Sequence, residues 1–221
     1  MADYKKADYW QLKARQEGYP ARSVYKLQEM DAKFGLVKSA AAQRSCLPVL
    51  DLGAAPGSWS LYLLRNKPGL TLVAADLSPL SREHDGGLFD GGNFCFIQGD
   101  FTEAAIRERI AAQGPYSLII SDAAPPTTGN RFIDTSCSLE LAEAVLAYAT
   151  PPGGGAPSSD GECCLAAKGN LLIKVFQGGD TSALLKRMKT LFSTAKSYKP
   201  AACRSDSFEV YYLGIEKLPK H

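Results

Sequence analysis

The stretch that most constrains the fold is residues 51–59, which read Asp-Leu-Gly-Ala-Ala-Pro-Gly-Ser-Trp. The apolar run at 48–52 suits a strand covered on both faces, and Ser58 is a good N-cap for the periodic apolar residues that follow. Gly53 and Gly57 remove Cβ atoms where the backbone would approach a ligand, and the helix N-terminus behind them offers free N–H groups. The stretch predicts a small-molecule site at the carboxyl end of the first strand. The alternative is an ordinary tight turn that binds nothing.

The length and composition predict one ordinary globular domain. The chain has 221 residues, of which 45% are hydrophobic and 22% charged, so it can bury one substantial core. We expect a single domain over 1–221, with an N-terminal arm over 1–20 and a flexible insertion over 151–168, where proline, glycine and serine are dense. No apolar run is long enough to span a bilayer, and the first residues lead into no apolar segment of a signal peptide. We therefore expect a cytoplasmic protein that does not bind membranes.

The six cysteines show neither a C-x-x-C pair nor a histidine at a ligand spacing. A zinc site is not expected, and no other metal is expected. Cys163 and Cys164 are adjacent, which makes them a poor disulfide or metal pair. We expect free thiols, as in a reducing compartment.

The small net charge of +2 hides a polarised distribution. Residues 1–44 carry a net +4, residues 45–167 a net −8 and residues 168–221 a net +6. If the two basic ends meet beside the acidic middle, they form a positive face suited to a phosphate backbone. The alternative is a scatter of solvated lysines.

Beyond the first turn, apolar runs alternate with helical periodicities. We predict strands over 70–75, 94–98, 116–120, 171–176, 195–198 and 209–215, and helices over 4–17, 22–34, 103–112, 135–150 and 184–192. Asp76, Asp100 and Asp122 then close three successive strands at the edge that carries the glycine turn. In an α/β nucleotide fold the acid after the second strand takes a ribose hydroxyl pair. Asp76 has that position, although it could instead cap the next turn.

The position of one lysine, Lys174, needs a physical explanation. Lys174 stands inside the apolar run Leu-Leu-Ile-Lys-Val-Phe, and a lysine in the middle of a sheet strand is costly unless it is paired or neutral. The alternative is an edge-strand lysine that points to water. Lys26, in the second predicted helix, would by itself be read as a solvated charge. Glu209 opens the last predicted strand.

Together these motifs resemble the FtsJ-like (RrmJ) RNA 2′-O-ribose methyltransferases. The resemblance rests on the glycine turn, Gly99-Asp-Phe, Ser121-Asp-Ala-Ala-Pro, Leu172-Ile-Lys-Val-Phe-Gln-Gly, Arg204-Ser-Asp-Ser-Phe-Glu-Val-Tyr and Arg22-Ser-Val-Tyr-Lys-Leu. It implies a Rossmann-like α/β fold: a seven-stranded methyltransferase sheet, mostly parallel with an antiparallel last strand, and helices on both faces. It also implies S-adenosylmethionine as the methyl donor.

The resemblance implies roles for particular residues. The family's Lys-Asp-Lys-Glu catalytic tetrad falls on Lys26, Asp122, Lys174 and Glu209. The residues implied to bind the donor are Gly53, Gly57, Trp59, Asp76 on the ribose, Asp100 near the adenine and Asp122 near the methionine portion. Lys174, desolvated and close to a second cation, would accept the proton of the ribose hydroxyl as it attacks the methyl group.

The resemblance implies RNA as the acceptor, and closeness to the compact bacterial form of the family suggests a uridine of 23S ribosomal RNA in the 50S particle. We expect a monomer. A transfer-RNA 2′-O-methyltransferase and a catalytically weak RNA-binding ribosome-assembly factor are the alternatives. A dinucleotide-dependent oxidoreductase would need G-x-G-x-x-G, and a P-loop nucleotidase would need Gly-Lys-Ser/Thr; both are absent. A small-molecule methyltransferase would not call for both lysines and basic flanks.

Overall fold

A computed structural model describes residues 9–37, 47–150, 164–204 and 206–219. Its centre is a seven-stranded sheet with the order β3-β2-β1-β4-β5-β7-β6. The strands are β1 Val49–Leu52, β2 Leu72–Asp76, β3 Phe94–Gln98, β4 Tyr116–Ser121, β5 Leu165–Phe176, β6 Phe192–Tyr198 and β7 Glu209–Lys217. Strands β1 to β5 pair in parallel, and β7 runs antiparallel to both of its neighbours. The predicted mostly parallel sheet with an antiparallel last strand is confirmed.

Helices cover both faces of this sheet, as predicted. They are α1 Tyr9–Gln16, α2 Val24–Phe34, α3 Ser58–Asn66, α4 Ala104–Ala111, α5 Arg131–Ala149 and α6 Thr181–Leu191. Successive strand residues face opposite sides. Thus Val49 joins the apolar core under α1, α2 and α3, while Leu50 joins the core under α4, α5 and α6. None of the helices in the described ranges is long and apolar enough to cross a membrane.

The strand order places a crevice at the carboxyl end of β1. This strand lies between β2 and β4, and the chain leaves it in one direction for β2 and later returns on its other side for β4. Ligands of open α/β sheets bind at such a topological switch point. Leu52 and Ser121 are paired at this end, so the glycine turn and the segment after β4 meet there.

Several local predictions differ from the structure. Phe192, predicted as the end of a helix, is the first residue of β6. Ser58 is the first residue of α3 and not its N-cap; Gly57 holds that position, with a φ of 107° that favours glycine. Helix α5 begins at Arg131, four residues before the predicted start, because the side chain of Asn130 accepts hydrogen bonds from two backbone N–H groups of its first turn.

The predicted flexible insertion over 151–168 ends too late. Residues 151–163 lie outside the described part of the chain, but β5 already begins at Leu165, whose side chain is buried. Cys164, just before it, is buried as well and donates its backbone N–H to the carbonyl of Tyr148. The described cysteines, Cys95, Cys137, Cys164 and Cys203, are free thiols; Cys46 and Cys163 lie outside the described residues.

Candidate active site

A cavity of about 660 Å³ opens at the switch point. Four of the residues predicted to bind the methyl donor line it, namely Gly53, Asp76, Asp100 and Asp122. They come from the turn after β1 and from the ends of β2, β3 and β4, so parallel pairing of these strands brings them to one edge. The wall is completed by apolar and small side chains that include Leu77, Phe101, Ala123, Ala124, Pro125, Pro126 and Leu141.

The carboxylates of Asp76 and Asp100 are fixed by short local hydrogen bonds. Asp76 accepts from the backbone N–H of Ala55 and of Ser78, each at 2.8 Å. Asp100 Oδ1 accepts from the backbone N–H of Thr102 at 2.8 Å and from its hydroxyl at 2.7 Å. The turn-capping role considered for Asp76 is therefore present. It does not exclude a ligand, because an ionised carboxylate has about four acceptor sites.

The two glycines of the first turn are required by neighbouring protein atoms. A Cβ on Gly53 would lie 2.6 Å from the Cβ of Ala123, and one on Gly57 would lie 2.9 Å from the ring of Phe89. Gly57 is buried beside the cavity and is absent from its lining. Trp59 is also buried behind it and donates its Nε1–H to the carbonyl of Ser23 at 2.8 Å. Direct contact of these two residues with the donor stays a prediction.

The predicted tetrad is assembled in the fold as two ion pairs. Lys174 Nζ lies 3.1 Å from Asp122 Oδ1 and also donates to the backbone carbonyl of Asp122. Lys26 Nζ lies 2.7 Å from Glu209 Oε1. Tyr211 joins them: its hydroxyl donates to Asp122 Oδ1 at 2.6 Å, and its ring centroid is 5.9 Å from Lys26 Nζ.

Sheet register explains this assembly. Lys174 is paired with Tyr211 across β5 and β7, so their side chains share a face. Strand β5 lies between β4 and β7, so the edge-strand reading of Lys174 is wrong. Helix α2 packs on that face and supplies Lys26, which is only 9% exposed; the solvated-charge reading of Lys26 is wrong too.

Burial and charge together fix the protonation of three groups. Burial opposes ionisation of Asp122, but the ammonium groups of Lys174 and Lys26 and the Tyr211 hydroxyl hold its pKa below the ordinary value. Burial likewise opposes a charged Lys26, yet the carboxylates of Asp122 and Glu209 raise its pKa. Burial and the Asp122 carboxylate raise the pKa of Tyr211 well above its ordinary value. At neutral pH, Asp122 is an anion, Lys26 a cation and Tyr211 a neutral donor.

A second cavity of about 530 Å³ lies on the other side of this charged cluster. Its lining includes Lys26 and Glu209 of the tetrad together with Arg22, Arg131, Arg204, Phe208, Asp134 and Asp206. The Arg131 guanidinium lies 5.5 Å from the centroid of the Phe208 ring. The sequence identified neither this cavity nor Tyr211 as part of a site. Its residues come from three separate segments, and the only signal was the excess of basic residues in the two ends of the chain.

Within the described ranges, no group of three or more His, Cys, Asp or Glu side chains is placed to hold a metal ion. The first cavity offers carboxylates that suit hydroxyl and ammonium groups, and the second offers Lys26 together with arginines.

Comparison with known proteins identifies the family. A Treponema denticola protein named ribosomal RNA large subunit methyltransferase E is 43% identical over 215 residues, which cover 96% of each chain. A protein of the same name from Oleidesulfovibrio alaskensis is 38% identical, with 96% of this chain and 92% of the relative covered. A crystal structure of a Plasmodium falciparum ribosomal RNA methyltransferase has a TM-score of 0.69 at 22% identity, covering 91% of this chain and 100% of that one, and so shares the fold.

The sequence model of the FtsJ-like methyltransferases matches residues 19–217, which include the glycine turn, both lysines, Asp122 and Glu209. Methyltransferases of this family take their methyl group from S-adenosylmethionine. The match spans nearly all of the described residues, and this chain therefore belongs to the FtsJ-like methyltransferase family.

Proposed function

We propose that the protein transfers a methyl group from S-adenosylmethionine to the 2′-hydroxyl of a ribose in large-subunit ribosomal RNA. One observation carries the proposal: the charged cluster joins two cavities. Asp122 lines the first cavity, and its partner Lys174 is held against it; Lys26 and Glu209 line the second. A group that bridges two binding sites is suited to transfer between two substrates held face to face.

The first cavity fits the donor. The Asp76 carboxylate suits the two ribose hydroxyls, Asp100 would lie near the adenine, and Asp122 suits the ammonium of the methionine portion. When bound, S-adenosylmethionine supplies an electrophilic methyl group on a sulfonium. The rest of the chemistry belongs to the side chains, which must hold the acceptor hydroxyl in line and remove its proton.

Lys174 is the proposed base. A ribose hydroxyl is a poor nucleophile at neutral pH, and a positioned base contributes roughly 10² to 10⁴ in rate. The Lys174 ammonium that pairs with Asp122 must first release a proton to solvent. The resulting amine keeps two N–H donors for the carboxylate and the carbonyl of Asp122, so Nζ stays in place while its lone pair accepts the proton of the ribose hydroxyl. Lys26, held by Glu209, would donate to the hydroxyl oxygen and orient it.

The RNA assignment rests on the second cavity and on the relatives. Arg22, Arg131 and Arg204 give this cavity a cationic lining that suits phosphates, and Phe208 gives it an aromatic wall. The relatives are named for the RNA of the large ribosomal subunit. We therefore propose a uridine of 23S ribosomal RNA, in an assembled 50S particle, as the acceptor. We also propose that one monomeric domain carries both sites.

The test is transfer of labelled methyl to large subunits isolated from a strain in which the gene is deleted. Lys174→Ala should lose about 10² to 10⁴ in rate while it still binds S-adenosylmethionine in calorimetry. Lys186→Ala is the matched control, because Lys186 is an exposed lysine of α6 outside both cavities.

Mass spectrometry of the digested RNA should find one 2′-O-methyluridine. Near-normal turnover by Lys174→Ala would refute the base assignment, and a label on the base would refute the ribose assignment. Transfer to transfer RNA in place of the particle would move the proposal to that substrate. Particle binding by the wild type with no transfer would favour an assembly factor.

A further inference from the structure

Two apolar side chains stand exposed at the start of α5. Phe132 is 78% exposed, the largest value among the exposed large hydrophobic residues of the described chain, and Ile133 beside it is 44% exposed. Single exposed apolar residues are common on protein surfaces and need no explanation. An adjacent pair that directly follows Arg131, which lines the second cavity, is less ordinary.

The backbone that carries Phe132 is held firmly. The Asn130 side chain accepts from the backbone N–H of Phe132 at 3.0 Å and from that of Ile133 at 3.4 Å. One turn further on, the buried Asp134 accepts from the backbone N–H and hydroxyl of Thr128, both at 2.8 Å. The ring therefore stands in water on a capped helix start. It does not belong to a loose loop, and little backbone entropy would be lost if a ligand packed on it.

The position of this helix start relates Phe132 to the proposed reaction. The chain from Asp122 to Pro126 lines the first cavity, and Thr127, Gly129 and Arg131 then line the second. Phe132 directly follows Arg131, whose guanidinium packs over the Phe208 ring. Phe132 is thus the next residue in the chain after one that lines the cavity proposed for the acceptor nucleotide.

We infer that Phe132 is a stacking platform for an unpaired nucleobase adjacent to the methylated nucleotide; the inference rests on the proposed function. An RNA strand that leaves the second cavity would keep its phosphates on Arg22, Arg131 and Arg204, and its next base would need a surface to pack on. Every base has a π-face, and a rigid exposed aromatic ring next to arginines binds it without regard to its identity. Ile133 extends the apolar surface.

The test compares binding of two probes by the full chain: large-subunit ribosomal RNA stripped of protein, and intact large subunits. Phe132→Ala and Phe132→Leu should each weaken binding of both probes by about 5- to 150-fold, the loss expected for one stacked base. Phe132→Trp should stay within about twofold of the wild type, because the larger ring also stacks. Leu218→Ala is the control, since Leu218 is 42% exposed and lies after β7, outside both cavities.

In steady-state transfer to large subunits, Phe132→Ala should raise the KM for the particle by a similar factor and leave kcat and donor affinity unchanged. Wild-type affinity of Phe132→Ala for stripped RNA would overturn the inference. Full affinity of Phe132→Leu would also overturn it, because apolar area and not stacking would then matter. A loss of affinity confined to intact particles would overturn it as well, because Phe132 would then contact a ribosomal protein. If instead the wild type transfers no methyl to ribose, the proposed function fails, whatever the Phe132 variants bind.

Discussion

Asp51 should make the stability of this protein fall as the pH rises from about 4 to about 7. Its side chain lies under the glycine turn and is 1% exposed. The Ser60 hydroxyl donates to Oδ2 at 2.7 Å, and Oδ1 has no hydrogen-bond partner among the described residues. Burial raises the pKa of Asp51 to about 7; the Ser60 bond opposes this rise, and the carboxylates of Asp122 and Asp76 add to it.

The sign and size of the effect follow from this pKa. Between the ordinary value of 3.8 and about 7, the folded protein keeps a proton on Asp51 that the unfolded chain releases. The free energy of unfolding therefore decreases as the pH rises through that window. The window spans roughly three pH units, and at about 1.4 kcal/mol per unit the full effect is at most about 4 kcal/mol. About 3 kcal/mol of it falls above pH 5.

Asp51→Asn removes the titration, while its amide oxygen can still accept from Ser60. The buried amide has its own cost, but that cost does not change with pH. Urea unfolding at pH 5, 6, 7 and 8 should therefore show the variant gaining about 3 kcal/mol relative to the wild type between pH 5 and pH 8. Asp134→Asn is the control: hydrogen bonds from Thr128 and Gly129 lower the pKa of Asp134, so its stabilisation is lost only as the pH falls below its ordinary range. A difference for Asp51→Asn that is as flat as this control would refute the reasoning.

Two further predictions concern the cluster and the turn. Glu209→Ala should lower the free energy of unfolding by about 3 kcal/mol, because it leaves the buried ammonium of Lys26 without its closest partner. In urea unfolding, the double variant Lys26→Met/Glu209→Leu should recover most of that loss. No recovery would show that the cost lies elsewhere. Gly53→Ala should cost about 2–4 kcal/mol, since a Cβ there meets Ala123 at a φ of +73°. Gly87→Ala, at a φ of +81° with open space around it, should cost only about 1–2 kcal/mol; equal losses would mean that the contact with Ala123 is unimportant.

The sequence was most informative where one local pattern determines one local structure. The apolar run, the glycines and the periodic residues after them predict β1, the turn and α3, because β1 is short and buried on both faces. The alternation of strands and helices also predicts that Asp76, Asp100 and Asp122, each at the end of a strand, reach the same edge of the sheet. The boundaries of β5 and α5 were less accurate, because β5 starts in a polar stretch and α5 starts at a capping asparagine that local periodicity does not reveal.

Contacts between distant residues could not be predicted from such patterns. Lys26 stays charged although it is buried, because the fold brings Asp122, which follows β4, and Glu209, which opens β7, close to it from distant parts of the chain. Tyr211 and Tyr212 are adjacent and look alike in the sequence, yet they face opposite sides of β7: Tyr212 packs in the core under α4 to α6, and Tyr211 binds Asp122. The pairing of β5 with β7 makes this distinction, and no periodicity within β7 reveals it.

The same long-range contacts change what the first turn of α3 does. Ser58 Oγ accepts from the backbone N–H of Ala21 at 2.8 Å, and Trp59 Nε1 donates to the carbonyl of Ser23 at 2.8 Å. Both bonds hold the segment that enters α2, which carries Arg22 and Lys26 on the acceptor side. The stretch around the first turn therefore contacts both sides of the charged cluster: Gly53 lines the first cavity, while Ser58 and Trp59 hold the segment that supplies Arg22 and Lys26 to the second. Under the proposed function, these contacts would help to keep donor and acceptor at the fixed separation that in-line transfer requires.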